Sequence, residues 1–276
     1  MGKVKVMTDS LASQVAAGEV VERPSSVVKE LIENSLDASA KSIDVIIERG
    51  GKALIKVIDD GEGMSRDDSI LSIERHATSK LVKSSDLNNI LTFGFRGEAL
   101  PSIASVSRFR LSTRQQGALV GTEILIDGGK IKDIRDSGDA PGTQVEIRSL
   151  FFNVPARKKF LKADSTEISR IEMAVRIAAI SRYDVGFSLR HGKREILKLG
   201  PATKPIHRIL DLIGSSYADG LIQLNHEKGS EGDLNISGWV SAPGVIVNNR
   251  KIQFVFVNDR PVDSLLIKNA CREAYR

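Results

Sequence analysis

The sequence predicts an α+β fold, with helices covering one face of a mostly antiparallel sheet. Three observations carry this. Strand candidates at 108–113, 120–126, 130–136 and 143–149 follow one another with no helix between them, the order of a meander and not of alternating βαβ units. Helical periodicity is confined to separate stretches, chiefly 25–38 and 167–180. The run Gly200-Pro201-Ala-Thr-Lys-Pro205 then stops regular structure, which predicts a first domain over residues 1–200 and a smaller second one over 206–276.

Each element has a local cause. Pro24 and the polar pair Ser25-Ser26 introduce the helix at 25–38. Strands at 43–48 and 54–58 flank Gly50-Gly51, read as a hairpin turn. Ser65 opens a helix with Asp68 three residues later as its capping-box partner. A glycine-bearing loop precedes a helix at 99–106, and strands at 185–190 and 195–199 follow the helix at 167–180. Past the proline break come a helix at 206–213, strands around Leu221, at 234–240 and at 252–257, and a last helix from Ser264.

Composition narrows the class. With 41% hydrophobic and 27% charged residues among 276, the chain can bury a core and stay soluble. No apolar run approaches the roughly 20 residues of a membrane span, so no membrane partner is expected. A single cysteine, Cys271, rules out an internal disulfide framework or a cysteine-rich zinc site and suits a reducing cytoplasm. The net charge of +5 is unevenly placed: residues 148–198 hold 12 Lys and Arg against 5 Asp and Glu, a net +7, leaving 28 against 30 elsewhere, a net −2. Such an excess can form a footprint for phosphate backbones or simply a solvated surface. Aromatic residues are only 5% of the chain, which argues against base stacking.

Four motifs carry chemistry. The first is Glu30-Leu-Ile-Glu-Asn34. At about 100° per residue, with Glu30 at zero, Asn34 lies near about 40° and Asp37 near about −20°. Val27, Val28, Leu31, Ile32 and Leu36 fill the arc from about 60° to about 240°. Glu30, Asn34 and Asp37 therefore border the buried stripe, while Lys29 and Glu33 are expected to point further towards solvent. A carboxylate and an amide oxygen one turn apart can hold a water and a magnesium ion, and an ordinary amphipathic helix gives the same pattern. The second is Asp59-Asp-Gly61-Glu-Gly63-Met64 after an apolar strand, where a carboxylate can accept from an exocyclic amine and glycines let backbone approach a flat ring. The third, Gly94-Phe-Arg96-Gly97-Glu98-Ala99-Leu100, leads into a helix N-terminus suited to phosphate. It follows Arg75-His-Ala-Thr78-Ser79-Lys80 and is not a Walker A loop. The fourth is Gly142-Thr143, which opens a strand.

In this order the four resemble the Bergerat-type ATP site of the GHKL superfamily, which includes DNA gyrase, the large heat-shock chaperones, sensor histidine kinases and MutL proteins. Residues outside the site select the branch. Gln14-Val-Ala-Ala-Gly18-Glu-Val-Val-Glu-Arg-Pro24, Phe151-Phe-Asn153-Val-Pro155-Ala-Arg157-Lys-Lys-Phe160-Leu161 and Phe256-Val-Asn258-Asp-Arg260-Pro-Val resemble the MutL family of bacterial type. The resemblance implies a two-layer α/β sandwich of the GHKL type, followed by a truncated second α/β domain of ribosomal-S5-like type. It implies that Glu30 is the general base, that Asn34 binds magnesium, and that Asp59 reads the adenine amine with help from Thr143. Asp37, Gly63 and Met64 would line the ATP site. Thr78, Ser79, Lys80, Gly94, Phe95, Arg96, Gly97, Glu98, Ala99 and Leu100 would form the lid over the phosphates.

The function so implied is DNA mismatch repair. ATP, hydrolysed slowly with Mg2+, would control pairing of two N-terminal domains into a homodimer. The implied partners are DNA, bound without sequence preference, a mismatch sensor of the MutS type, and a downstream endonuclease and helicase, in the cytoplasm at the nucleoid. Arg157, Lys158, Lys159 and Arg260 are the candidate DNA contacts. The sequence departs from the family at Asp60, where Asn is usual and a charge is added near the site. It also contains no Val-Asn-Val-His-Pro-x-Lys stretch with the family's second-domain lysine, so hydrolysis is expected to be weak. The competing reading is a nucleotide-gated DNA-binding scaffold that does not hydrolyse ATP.

Overall fold

The computed structural model describes residues 17–18, 21–74, 77, 97–227, 235–245 and 253–275. It divides into two units, Met1–Ala179 with Asp184–Pro201, and Ile180–Tyr183 with Ala202–Arg276.

The first unit is built on one eight-stranded sheet in the order β5-β4-β3-β6-β2-β1-β7-β8. Its strands are β1 (Ser42–Glu48), β2 (Leu54–Asp59), β3 (Arg108–Arg114), β4 (Gly121–Asp127), β5 (Lys130–Ser137), β6 (Gly142–Arg148), β7 (Gly186–His191) and β8 (Arg194–Leu199). β1 and β7 are parallel and the other neighbouring pairs antiparallel. The meander β3–β4–β5 is as expected, but β6 does not stay at its end. It returns between β3 and β2 and joins the two halves of the sheet.

Among the described residues this unit has the helices α1 (Pro24–Asp37), α2 (Arg66–Leu71), α3 (Ala99–Ser105), α4 (Pro155–Phe160) and α5 (Asp164–Ser181), whose last two residues fall in the second unit. Helix α1 begins with Pro24 at its first turn, where a missing N–H costs nothing. It buries Val27, Val28, Leu31, Ile32 and Leu36, the arc the periodicity predicts. In α5 the buried residues Glu167, Ile171, Val175 and Ala179 recur every four positions as one stripe. On the sheet, Ile43, Val45 and Ile47 of β1 alternate with more exposed neighbours and pair in register with Asp59, Val57 and Ile55 of β2.

Three local expectations change. Gly50-Gly51 is a 3-10 turn over Arg49–Gly51, with φ of 50°, 67° and 82° at Arg49, Gly50 and Gly51; a two-residue hairpin would not supply that third left-handed residue. Helix α4 was not foreseen, because Pro155-Ala-Arg-Lys-Lys-Phe160 has no apolar stripe and no buried residue. Glu33 does not point to solvent. Its side chain is 17% exposed against 54% for Lys29, since it lies on the same edge of α1 as Glu30 and Asp37. Burial pushes its carboxyl above the usual range, partly offset by Lys29.

The second unit holds α6 (Pro205–Ile213), the antiparallel pair β9 (Leu221–Glu227) and β10 (Asn235–Ser241), the short pair β11 (Phe256–Val257) and β12 (Arg260–Pro261), and α7 (Leu265–Ala274). Asn258 and Asp259, both at positive φ, make the two-residue turn between β11 and β12. Arg208 of α6 is fully buried and donates to the Tyr183 carbonyl at 3.0 Å, tying segment Ile180–Tyr183 into this unit.

Candidate functional site

Strand pairing sets one row across the end of the sheet, polar from β2 through β4. Ile43 of β1 faces Asp59 of β2, Asp59 faces Thr143 of β6, Thr143 faces Thr113 of β3, and Thr113 faces Thr122 of β4. Beneath it runs an apolar row, Val57, Val145, Leu111 and Ile124. The row therefore sits where the core gives way to a polar rim.

Asp59 is its centre. It is 8% exposed. The Ser35 hydroxyl of α1 donates to Oδ2 at 2.7 Å, and the Gly61 amide donates to Oδ1 at 3.0 Å. Burial raises the Asp59 carboxyl above the ordinary Asp range; Ser35 and the backbone amides of Gly61 and Thr143 pull it back, and Asp60 adds a small push upward. These donors are neutral groups.

The hydroxyls of the row are joined. Thr113 Oγ1 lies 3.0 Å from Thr143 Oγ1 and 3.1 Å from the Gly142 carbonyl it can donate to, and it accepts from the Met64 amide at 2.9 Å. Thr113 thus pins the Gly61–Met64 loop to the mouth of β6. Two glycines make that approach possible. Gly63, at φ 69°, would put a Cβ 2.0 Å from the Arg114 carbonyl oxygen, and Gly142, at φ 111°, would put one 2.1 Å from the Asp59 carbonyl oxygen.

Of the sequence-predicted residues, Glu30, Asn34 and Asp37 are half-buried along one edge of α1, and Ser35 joins that helix to Asp59. Gly63, Met64 and Thr143 lie around Asp59 as described. Gly97 and Glu98 precede α3, and Ala99 and Leu100 are its first residues, all half-buried. Arg75, His76, Thr78, Ser79, Lys80, Gly94, Phe95 and Arg96 lie outside the described residues. Asp60 directs one oxygen elsewhere: Oδ1 accepts from the Lys41 and Ser42 amides at 2.7 and 2.8 Å, bonds that an Asn oxygen could also accept. Lys158 and Lys159 are exposed on α4, and Arg260 is exposed on β12 opposite Val257. Arg157 is engaged by the chain itself. It donates to the Val21 carbonyl at 2.9 Å, and its guanidinium occupies the space a Cβ on Gly18 would need.

Sequence reasoning missed Ser35 and Thr113. Ser35 sits near about 140° on the helical wheel, the middle of the apolar arc, so a lone polar residue there was a usable signal. Thr113 carries none, because its neighbour Thr143 is fixed by the return of β6.

Among the described residues no cluster of three or more His, Cys, Asp or Glu could hold a metal ion, and no helix is long and apolar enough to cross a membrane.

A family model for Histidine kinase-, DNA gyrase B-, and HSP90-like ATPases matches residues 22–148. With the sheet and α1 as described, this places the first unit in the class of split-sheet GHKL ATPase domains. A second model, the C-terminal domain of DNA mismatch repair protein, matches residues 209–276. The solved Aquifex aeolicus MutL ATPase domain complexed with ADP is 32% identical, with a TM-score of 0.70 over 92% of this chain and 88% of that one. The chain belongs to the MutL family. The DNA mismatch repair protein MutL of Akkermansia muciniphila is 50% identical over 276 residues, and that of Opitutus terrae 46% over 275. Each alignment covers 100% of this chain and 43% of the relative, so the chain spans under half the length of these proteins.

Proposed function

We propose that this chain binds ATP, with Asp59 accepting a hydrogen bond from the adenine amine, and hydrolyses it to ADP and phosphate with Glu30 as general base. One observation carries the reading: Asp59 is a buried carboxylate held by neutral donors, at the end of a hydroxyl row and hydrogen-bonded to the helix that bears Glu30 and Asn34. An exocyclic amine would meet a charged acceptor there whose donors among the described residues are all neutral. The ADP complex of the Aquifex aeolicus relative supports the same ligand class.

Asn34 suits magnesium, which favours oxygen donors, takes one or two from protein and fills the rest with phosphate and water. Bound there, the ion would neutralise charge on the triphosphate. Glu30, on the same edge of α1, would orient and deprotonate the attacking water. The segment containing Thr78, Ser79, Lys80 and Gly94–Leu100 would close over the phosphates, and Asp37, Gly63 and Met64 would border the base. Domains over residues 1–200 and 206–276, the latter of ribosomal-S5-like type, would share this work. Turnover by this chain alone should be slow, since it contains no Val-Asn-Val-His-Pro-x-Lys stretch.

In the cell the nucleotide would act as a switch in DNA mismatch repair. ATP would order the N-terminal arm and pair two domains. The pair would bind DNA and link a mismatch sensor of the MutS type to an endonuclease or helicase in the nucleoid. DNA contact would fall to Lys158, Lys159 and Arg260, through phosphate; Arg157 would support the arm. The names of the relatives support the repair role.

Glu30→Ala tests the enzyme. It should keep ATP affinity within a few-fold and lose phosphate release by about two orders of magnitude or more, whereas Asn34→Ala should weaken magnesium-dependent binding. Wild-type phosphate release by Glu30→Ala would remove Glu30 as the base. No magnesium-dependent release by wild type would favour the non-hydrolysing scaffold.

A further inference from the structure

Ser35 is the one polar member of the α1 residues that face the core, and it is 3% exposed. Serine inside a helix competes with the helix's own hydrogen bonds and contributes no apolar contact. Its hydroxyl has one proton and two acceptors in reach: the Leu31 carbonyl at 3.1 Å and Asp59 Oδ2 at 2.7 Å. The carboxylate wins, because a bond to an ionised acceptor is shorter and stronger than one to a neutral carbonyl. The Gly61 amide holds the other oxygen at 3.0 Å. A carboxylate's terminal torsion is otherwise broad; with one donor on each oxygen its plane is set.

We propose that Ser35 is a positioning residue for base recognition: its hydroxyl fixes the Asp59 carboxylate in the orientation that meets the purine amine, and ties it to the helix carrying Glu30 and Asn34. This rests on the reading of Asp59 given above. Base identity would then be felt by the hydrolytic helix through a single side-chain hydrogen bond. The same bond favours the ionised carboxylate against the burial that opposes it. Among the described residues around Asp59, Asp60 is the charged group that bears on it; α1 presents the Ser35 hydroxyl and β6 the Thr143 amide.

The test is titration of the full chain with ATP and with GTP from about pH 5 to about pH 8, for wild type, Ser35→Ala and Ser35→Cys. Cysteine keeps nearly the same shape but is a weak donor. Both variants should lose about tenfold in ATP affinity at neutral pH, lose part of the preference for ATP over GTP, and move the midpoint of the pH dependence of ATP affinity upward. The nucleotide's own titration is common to all three proteins and cancels. Thermal unfolding establishes that each variant folds; if Ser35→Ala does not, Ser35→Cys decides. Wild-type affinity, selectivity and midpoint in Ser35→Cys would overturn the proposal and leave Ser35 as filler. A wild type that does not distinguish ATP from GTP would instead overturn the Asp59 reading on which it rests.

Discussion

Two carboxylates of the same sheet, Asp59 and Glu123, are 8% and 4% exposed and are held in opposite ways. Glu123 lies on β4 between two guanidinium groups: Arg110 bonds Oε2, and Arg135 donates to Oε1 at 2.6 Å. Asp139 extends the cluster, accepting from Ser112 at 2.6 Å and Arg110 at 3.1 Å; the Ser112 bond, aided by Arg110, draws its carboxyl below the usual range. Asp59 has a hydroxyl and backbone amides, and burial raises it. A carboxylate satisfied by cations is finished as part of the fold. One satisfied by neutral donors still favours a further donor, and until that donor arrives it costs stability. The contrast separates a structural acid from the one proposed to bind.

The largest expected effect is on Asp59. Asp59→Asn should lower ATP affinity about 10- to 100-fold, the scale of a lost hydrogen bond to a charged group, yet leave the melting temperature unchanged or higher. Asn can accept from Gly61 and donate to Ser35, whose proton then turns to Leu31. Glu123→Gln should do the reverse, costing about 1–3 kcal/mol of stability with ATP affinity intact. Calorimetry and thermal melts on both proteins check the crossing; equal losses of both properties in both variants would erase the distinction.

A smaller effect concerns pH. The Asp59 pKa is raised on folding, so the folded state holds its proton to higher pH than the unfolded chain. Its contribution to stability therefore falls as pH rises from the ordinary Asp range through the raised value, whereas nucleotide affinity rises over the same window as the acceptor ionises. Melting curves against pH should show this slope in wild type and a shallower one in Asp59→Asn. The smallest effects are at Asp60 and α4. Asp60→Asn should change ATP affinity by less than about twofold, because its oxygen serves the Lys41 and Ser42 amides. Lys158→Ala should lower the salt slope of DNA binding by about 0.9; Arg157→Ala should leave that slope alone.

Only the Asp59 side of this contrast was legible in the sequence, and the part that was not has a physical reason. The wheel of α1 gave the buried arc and the edge carrying Glu30, Asn34 and Asp37, because helical periodicity is local. It also contained Ser35, a polar residue in an apolar arc, without saying what it would meet. That partner is 24 residues away and depends on how α1 lies over β2. The row Asp59–Thr143–Thr113 depends on β6 crossing back between β3 and β2, a long-range pairing that local pattern does not encode. Counting charge grouped Arg157 with Lys158 and Lys159; only packing shows that its guanidinium meets Val21.

The most direct test of Asp59 as the base-reading group is calorimetric titration of wild type and Asp59→Asn with ATP and GTP under identical salt and magnesium. The carboxylate should give wild type a clear preference for ATP, since GTP offers a carbonyl where adenine offers an amine, and Asp59→Asn should lose most of that preference along with its affinity. Equal affinity of the wild type for both nucleotides, or an undiminished preference in Asp59→Asn, would contradict it.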